Sequence, residues 1–145
     1  MKVVIDTNIL VSTLISSDGI VGSFLLKDLQ DVEKLSCYYL YVELFDKKEK
    51  MLKVSGLAES DFLDLMYLII KRLTFVNENQ ITAENWQQAV DLTTGIDVKD
   101  VSFVALAIQA DAVLWTGDKK LYKGLKEKGF SNVVNREELR ELIKR

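Results

Sequence analysis

Short apolar runs separated by longer segments with helical spacing are the main feature of this sequence. Continuous apolar runs predict strands buried on both faces at Lys2–Ile5 and Ala112–Trp115. The other strand candidates are Leu35–Leu40, Leu73–Val76 and Asn132–Val134. Polar turn residues follow the runs that end at Ile5, Val76 and Trp115. The pattern therefore predicts four or five short strands.

Helical spacing fills the intervals between these strands. The segment Glu59–Arg72 shows it most clearly, since Phe62, Leu65, Met66 and Ile69 fall on one stripe. The predicted helices are Asn8–Ile15, Ile20–Leu29, Val42–Val54, Glu59–Arg72, Thr82–Thr94, Val101–Ala110, Lys119–Lys128 and Arg136–Lys144. Asn77–Gln80 is predicted as a loop, with Thr82 as the N-cap of the next helix and Gly95 in a left-handed C-terminal position.

Alternating strands and helices indicate an α/β fold. We expect a three-layer α/β/α sandwich with a central, mostly parallel sheet of four to five strands. The chain has 145 residues and no repeat, low-complexity tract or linker, so it is predicted to form one domain over residues 1–145.

Composition narrows the chemistry of any site. The chain has no His, which excludes Ser-His-Asp and Cys-His catalysis and His-ligated metals. Cys37 is the single cysteine, so neither an intrachain disulfide nor a cysteine zinc cluster can form. A metal site would have oxygen ligands, which favour Mg²⁺ or Mn²⁺. No apolar run reaches the ~20 residues of a membrane span and no secretory signal is evident. We therefore expect a cytoplasmic protein without a membrane partner.

The net charge of −3 is unevenly distributed. Residues 1–118 contain 10 Lys and Arg against 18 Asp and Glu, whereas residues 119–145 contain 9 against 4. A basic C-terminal stretch beside an acidic body could guide a polyanion to an acidic, metal-loaded site. A solvated helix rich in lysine is the alternative.

Several carboxylates fall at one edge of the predicted sheet. Asp6 directly follows the first strand, and Asp118 follows strand Ala112–Trp115 after a two-residue turn. Asp97 and Asp100 precede the helix that feeds this strand, and Glu43 lies in the first turn of the helix after the second strand candidate. Right-handed crossovers place all these positions at the carboxyl edge, where open α/β sheets bind ligands.

Clustered carboxylates repel one another unless they are protonated or bridged by a cation. A divalent metal supplies that charge, lowers the pKa of its bound water and neutralises a phosphate. Phosphodiester hydrolysis is the reaction class that follows. Taken singly, each acid also has an ordinary interpretation as a turn residue, an N-cap or a charge near a helix start.

Polar and basic neighbours could assist such a site. Thr7, Asn8 and Thr116 are candidates to orient the carboxylates or water by hydrogen bonds, with local turn capping as the alternative. Lysines are candidates for phosphate contacts, with an exposed helix face as the alternative: Lys47, Lys119 and Lys120, and beyond these Lys48, Lys50, Lys53 and Lys123. Aromatic side chains could stack on bases or pack in the core: Tyr38, Tyr39, Tyr41 and Trp115.

Two segments carry a resemblance to a known family. Residues 3–10, VVIDTNIL, resemble the opening motif of PIN-domain ribonucleases. Residues 97–121, DVKDVSFVALAIQADAVLWTGDKKL, are similar to the second signature block of that family. Glu43 fits the helix glutamate between the two blocks, although Glu49 lies nearby. The resemblance covers essentially the whole chain in the expected order.

The resemblance implies a site and an activity. Asp6, Glu43, Asp100 and Asp118 would be the catalytic, metal-binding acids, with Asp97 auxiliary. The implied enzyme is an Mg²⁺- or Mn²⁺-dependent endoribonuclease acting on single-stranded RNA. Many small members are VapC-like toxins held by an antitoxin protein, and many form homodimers or higher homo-oligomers. The motifs do not separate a toxin from an RNA-processing enzyme or from a catalytically silent RNA- or protein-binding module.

Two other phosphate-handling classes fit less well. A phosphatase of the haloacid-dehalogenase kind needs a second acid two residues after its nucleophile, and that position is Asn8. A receiver-like phosphoacceptor domain needs an acid pair ahead of its central Asp. Neither class explains Asp97 and Asp100.

Overall fold

Five parallel strands form one central sheet in a computed structural model that describes residues 1–145. They are β1 (Lys2–Ile5), β2 (Glu33–Cys37), β3 (Thr74–Val76), β4 (Val113–Trp115) and β5 (Val133–Val134). The strand order is β3-β2-β1-β4-β5, and every neighbouring pair is parallel. The expectation of a mostly parallel sheet of four to five strands is thus confirmed.

Eight α-helices connect the strands. They are α1 (Thr7–Ile15), α2 (Ile20–Ser23), α3 (Tyr39–Ser55), α4 (Glu59–Ile70), α5 (Ala83–Thr93), α6 (Val101–Ala110), α7 (Lys119–Glu127) and α8 (Arg136–Ile143). No single helix has the length and hydropathy of a membrane span, although Thr7–Ile15 and Ile20–Asp28 pass that test as a pair bent by 110°.

The helices cover both faces of the sheet. Helix α1 packs on α3 and α4, while α5 packs on α6 and α7. Right-handed crossovers carry the chain from β1 to β2 and β3 on one face and return it to β4 and β5 on the other. The two helix groups therefore form the outer layers of the expected α/β/α sandwich.

Three predicted boundaries differ from the structure. The segment Ile20–Leu29 is not one α-helix, because α2 passes into a π-helical turn at Phe24–Asp28. Strand β2 ends at Cys37, and α3 begins at Tyr39 rather than Val42. The predicted loop Asn77–Gln80 contains a 3₁₀ turn over Glu78–Gln80.

The early start of α3 has an identifiable cause. The Glu78 carboxylate accepts hydrogen bonds from the backbone N–H groups of Tyr38 and Tyr39, at 3.1 and 2.9 Å. These are unpaired donors at a helix start, and a carboxylate there is favourable. Glu43 consequently lies in the second turn of α3, not in the first turn as expected.

The core is built on the two central strands. Val3, Val4 and Ile5 of β1 are fully buried, as is Leu114 of β4. Trp115 is also buried and meets the Phe24 ring edge-on at 5.3 Å, so it packs in the core rather than offering a surface for bases. This apolar layer fixes the ends of β1 and β4, and hence the polar residues that follow them.

The strand order reverses beside β1. The chain passes from β1 to β2 and β3 on one side, then crosses to β4 on the other side. Such a switch point leaves a crevice at the carboxyl ends of the two strands, which is where ligands bind in open α/β sheets. Asp6 follows β1 and Asp118 follows β4, so both lie at this crevice.

An apolar surface lies away from the sheet on α3 and α4. Phe45 is 84% exposed, Tyr67 66% and Val42 59%. Tyr41 and Phe45 line a cavity of about 320 Å³ with Leu44, Leu63 and Met66. Adjacent exposed apolar side chains on this scale are typical of an interaction site.

Candidate active site

An acidic cavity of about 390 Å³ opens at the carboxyl edge of the sheet. Five carboxylates line it: Glu43, Asp46, Asp97, Asp100 and Asp118. The other lining residues are Asn8, Tyr39, Val42, Lys47 and Lys99. The structure thus brings together four of the acids singled out from the sequence, and Asp6 lies next to them at the end of β1.

Asp6 is buried and serves as the N-cap of α1. Its carboxylate accepts a hydrogen bond from the Ile9 N–H at 3.1 Å, and the residue is only 3% exposed. Burial raises the pKa of Asp6 to about 6, against hydrogen bonds from the Thr116 hydroxyl and the Ile9 N–H. Asp118 and Glu43 raise this pKa further through repulsion. Asp6 is therefore a carboxylate with too little positive charge around it.

Asp118 caps α7 in a similar way. Its Oδ1 accepts hydrogen bonds from the backbone N–H groups of Lys120 and Leu121, at 2.9 and 3.2 Å. The Thr116 hydroxyl accepts the Asp118 N–H at 3.0 Å and so fixes the turn after β4. The Thr116 hydroxyl also lowers the pKa of Asp6 through a hydrogen bond, so it lies beside both Asp6 and the turn that carries Asp118.

Asp100 precedes α6 but makes no capping hydrogen bond. Burial raises the pKa of Asp100 to about 7, with further repulsion from Asp6, Asp97, Asp118 and Glu43 in that order. The four other acids are therefore close enough to act on this one carboxyl. A cation among them would relieve this repulsion.

Two further acids are held by hydrogen bonds. The Thr7 hydroxyl donates to Glu43 Oε1 at 2.8 Å, which ties α1 to α3. Asp97 accepts the Lys99 N–H at 3.0 Å and caps the 3₁₀ turn Val98–Asp100. The N-cap interpretation applies to Asp97, whereas the carboxylate of Asp100 stays uncommitted.

The donor set fits a hard divalent ion in chemistry, because every available ligand is a carboxylate or another oxygen. In the side-chain positions of the structure, however, no three acids are grouped closely enough to hold one ion. Asp6 and Asp118 each use Oδ1 in a helix cap, which leaves their second oxygens for other contacts. Holding a metal would require the carboxylates to turn inward.

The polar and basic residues that were predicted to assist the site form two groups, those that line the cavity and those that do not. Asn8 is exposed and lines the cavity, and so does Lys47. Lys119 and Lys120 are exposed in the first turn of α7 but do not line it. Tyr39 also lines the cavity, which no pattern in the sequence distinguished from its aromatic neighbours.

Two charged lining residues were not among the sequence predictions, Asp46 and Lys99. Asp46 lies three residues after Glu43, so helical spacing places it on the same face of α3. Lys99 stands between Asp97 and Asp100. Its position between two acids that were already predicted to belong to the site was the signal that could have identified it.

Exposed aromatic rings lie on the first turn of α3. Tyr38 and Tyr41 are 48% and 42% exposed, and the rings of Tyr41 and Phe75 stack at 4.7 Å. Neither Tyr38 nor Tyr41 lines the acidic cavity. They form a surface beside the site rather than part of its wall.

Comparison with known proteins agrees with this architecture. The fold resembles a crystal structure of VapBC2 from Rickettsia felis bound to a DNA fragment from their promoter, with a TM-score of 0.63. The identity is 18%, and the match covers 94% of this chain and 98% of that one. A search of curated proteins finds no significant match. The family model for the PIN domain matches residues 4–141, and the chain therefore belongs to the PIN domain family.

Proposed function

We propose that residues 1–145 form a single PIN domain that acts as a metal-dependent endoribonuclease on single-stranded RNA. Family membership supports a nuclease. The observation that carries the proposal is the meeting of acids from separate segments at the switch point of the sheet. Burial raises the pKa of Asp100, and repulsion from four other acids raises it further, so a cation bound among these acids would be favourable.

In this proposal Asp6, Glu43, Asp100 and Asp118 hold Mg²⁺ or Mn²⁺, and Asp97 assists. When bound, the metal lowers the pKa of water and neutralises charge on the scissile phosphate. The cap that Asp6 makes on α1 uses one carboxylate oxygen, Oδ1, and leaves the second oxygen for a metal.

The chain's hydroxyl groups orient two of these acids. Thr7 holds the Glu43 carboxylate, and Thr116 holds the turn that carries Asp118. Asn8 offers an exposed amide at the cavity wall for a hydrogen bond to a phosphate oxygen or to water. These contacts fix the segments that carry the acids before the substrate arrives, so metal binding requires the carboxylate side chains to turn inward but not the backbone to move.

The test is cleavage of a labelled single-stranded RNA with Mn²⁺, with and without EDTA, by the wild type and Asp6→Asn. Asn accepts the Ile9 hydrogen bond as well as Asp does, so α1 keeps its cap while the site loses a charge. We expect the rate to fall at least about 100-fold, as for other groups that stabilise a transition-state charge.

The matched control is Asp111→Asn. Asp111 caps the C-terminus of α6 at the other edge of the sheet, with φ of 51°, a conformation that Asn accepts readily. This variant should cleave like the wild type. Equal cleavage by Asp6→Asn, or activity that survives EDTA, would contradict the proposed function.

We also propose that the enzyme is the toxin of a type II toxin–antitoxin pair, acts in the cytoplasm and forms a homodimer or higher oligomer. The similar structure from Rickettsia felis is a VapBC2 complex, and its match to this chain supports such a pair. The exposed apolar surface of α3 and α4 offers a place for a protein partner. An RNA-processing enzyme or a catalytically silent RNA- or protein-binding module is the alternative, and both would lack a cognate inhibitor.

A further inference from the structure

Two lysines reach the acidic cavity from opposite layers of the sandwich. Lys47 belongs to α3, which packs with α1 on one face of the sheet. Lys99 belongs to the 3₁₀ turn that leads into α6, on the other face. We propose that Lys47 and Lys99 bind the two phosphates that flank the scissile phosphodiester, and so hold a single strand across the cavity. This inference rests on the proposed function.

Lys47 is a cation without an ionic partner. It lies one helical turn after Glu43, a spacing that favours an ion pair on a helix face. Glu43 instead accepts the hydroxyl of Thr7, and none of the four ion pairs in the structure includes Lys47. A half-buried ammonium without a partner beside a crevice is available to an anionic ligand.

Lys99 is equally free, and its backbone is fixed. Asp97 accepts its N–H and thereby caps the turn Val98–Asp100. Although acids stand on both sides of it, Lys99 makes no ion pair. Its side chain is exposed at the cavity, so it can reach a phosphate from a constrained starting point.

The charge of the cavity explains why such a pair is needed. Its five lining carboxylates repel a polyanion, and a metal between them neutralises charge only at the scissile phosphate. Neighbouring phosphates of the strand still approach an acidic wall. Lysines at two opposite walls would offset this repulsion without reading bases, because phosphate contacts carry no sequence information.

Lys47 and Lys99 together form the proposed phosphate clamp. The sequence suggested different partners for Lys47, namely Lys119 and Lys120. Lys119 and Lys120 lie outside the cavity lining, in the first turn of α7. They can attract RNA at longer range, but they do not border the position of the scissile phosphate. Lys47 and Lys99 alone are the basic residues that line the cavity.

Binding can be measured separately from cleavage. The probe is a short, fluorescently labelled single-stranded RNA, and Ca²⁺ is the divalent ion present. Fluorescence anisotropy gives the affinity of the protein for this RNA over a series of NaCl concentrations. We expect Lys47→Gln and Lys99→Gln each to reduce the slope of log K against log salt by about 0.7, the value for one phosphate contact to a single strand. The double variant should reduce this slope by the sum of the two single reductions. In Mn²⁺, KM should rise several-fold while kcat stays near the wild-type value, because these residues hold substrate rather than act on reacting atoms.

The matched control is Lys27→Gln, an exposed lysine of the π-helical turn Phe24–Asp28 that neither lines the cavity nor forms an ion pair. It should keep the wild-type slope. Lys47→Arg and Lys99→Arg should restore the slope, since Arg retains the charge. Slopes unchanged in Lys47→Gln and Lys99→Gln, or a loss as large in Lys27→Gln, would overturn the proposed phosphate clamp. If wild-type RNA binding shows the expected slopes but no metal supports cleavage, the clamp stands and the proposed nuclease activity fails.

Discussion

Asp6 combines two roles that are usually met by different residues. Its Oδ1 caps α1, and its burial beside Thr116 and Asp118 makes it an acid that is costly to ionise. A capping residue at the end of a strand is a common structural device. Here the capping carboxylate also lies near Asp118 and Glu43, so the interpretations of Asp6 as a capping residue and as a metal ligand are compatible.

The raised pKa values of Asp6 and Asp100 predict that, in the absence of divalent ions, the free energy of unfolding decreases as the pH rises. Asp6 and Asp100 have pKa values of about 6 and about 7 in the folded chain, against 3.8 for an unperturbed Asp. Between roughly pH 4 and 7 the unfolded chain therefore loses these protons first, and unfolding becomes more favourable as pH rises.

We expect the melting temperature in EDTA to be lower at pH 8 than at pH 5. Asp100→Asn should flatten this profile and raise the melting temperature at pH 8 by a few degrees, since roughly 1 kcal/mol corresponds to about 2–4 °C at this chain length. Mn²⁺ should stabilise the wild type more at pH 8 than at pH 5, because it binds the ionised carboxylates. Identical pH profiles of the wild type and Asp100→Asn would contradict the burial and repulsion assigned to this residue.

The positions of the main acids were predictable because strand ends are. Once β1 and β4 were located from their apolar runs, Asp6 and Asp118 had to share an edge. The contribution of Lys99 was not predictable in this way, because it depends on the 3₁₀ turn that Asp97 caps. The bond from Thr7 to Glu43 joins two helices, and local sequence does not specify their contact.

The segment from α2 to Leu29 shows a limit of periodicity. An α-helix and a π-helical turn place apolar residues on similar faces, so Ile20–Leu29 looked like one helix. In the structure the Leu29 N–H donates to the carbonyl of Phe24, five residues earlier, at 3.1 Å. This wider turn lets Phe24, Leu25 and Leu29 all reach the core. The start of α3 could not be predicted from periodicity either, because it is fixed by hydrogen bonds to Glu78, which is distant in sequence.

Gly22 is required by the close approach of α2 to the preceding turn. A Cβ at this position would lie 2.6 Å from the carbonyl oxygen of Ser17 and 2.8 Å from that of Ser16. Both atoms belong to the backbone, so relief requires the chain itself to move. The close contacts cost about 1–3 kcal/mol and Ala contributes roughly 1 kcal/mol to a helix, so Gly22→Ala should lower the free energy of unfolding by up to about 2 kcal/mol.

Denaturant unfolding measures this difference. The control is Gly117→Ala, where a Cβ would have only an ordinary contact, 3.8 Å from Ile9 Cδ1. Gly117→Ala should have wild-type stability. A Gly22→Ala protein as stable as the wild type would show that the turn at Ser16 and Ser17 can move at little cost.

The apolar surface of α3 and α4 is a second exposed feature of the molecule, beside the acidic crevice. Val42 belongs to both, since it lines the acidic cavity and is exposed next to Phe45. A partner bound on this surface would therefore reach the edge of the site. Interface energy is concentrated in a few large side chains, which makes Phe45 the informative position.

Phe45→Glu should weaken binding to a cognate antitoxin by at least about 10-fold, because truncating a central aromatic typically costs 2 kcal/mol or more. Co-expression with the antitoxin should relieve growth arrest by the wild type but not by Phe45→Glu. The chain's own melting temperature should change little, since Phe45 is 84% exposed.

Lys53→Glu, an exposed substitution later in α3, should behave like the wild type. If co-expressed antitoxin relieved the growth arrest caused by Phe45→Glu as fully as that caused by the wild type, the partner would bind elsewhere. Arrest that persists in Asp6→Asn would instead contradict the assignment of the acidic site.

The strand order also determines when the site can exist during synthesis. Strand β1 is made first but occupies the centre of the sheet, with β4 as one of its two neighbours. Until residues 113–118 have left the ribosome, Asp6 has neither the β4 edge nor Asp118 beside it. Pairing between such distant segments forms late, because the long intervening chain must first be ordered. A nascent chain, or one truncated before Asp118, therefore lacks the complete set of acids, and the assembled site arises only after β4 has paired with β1.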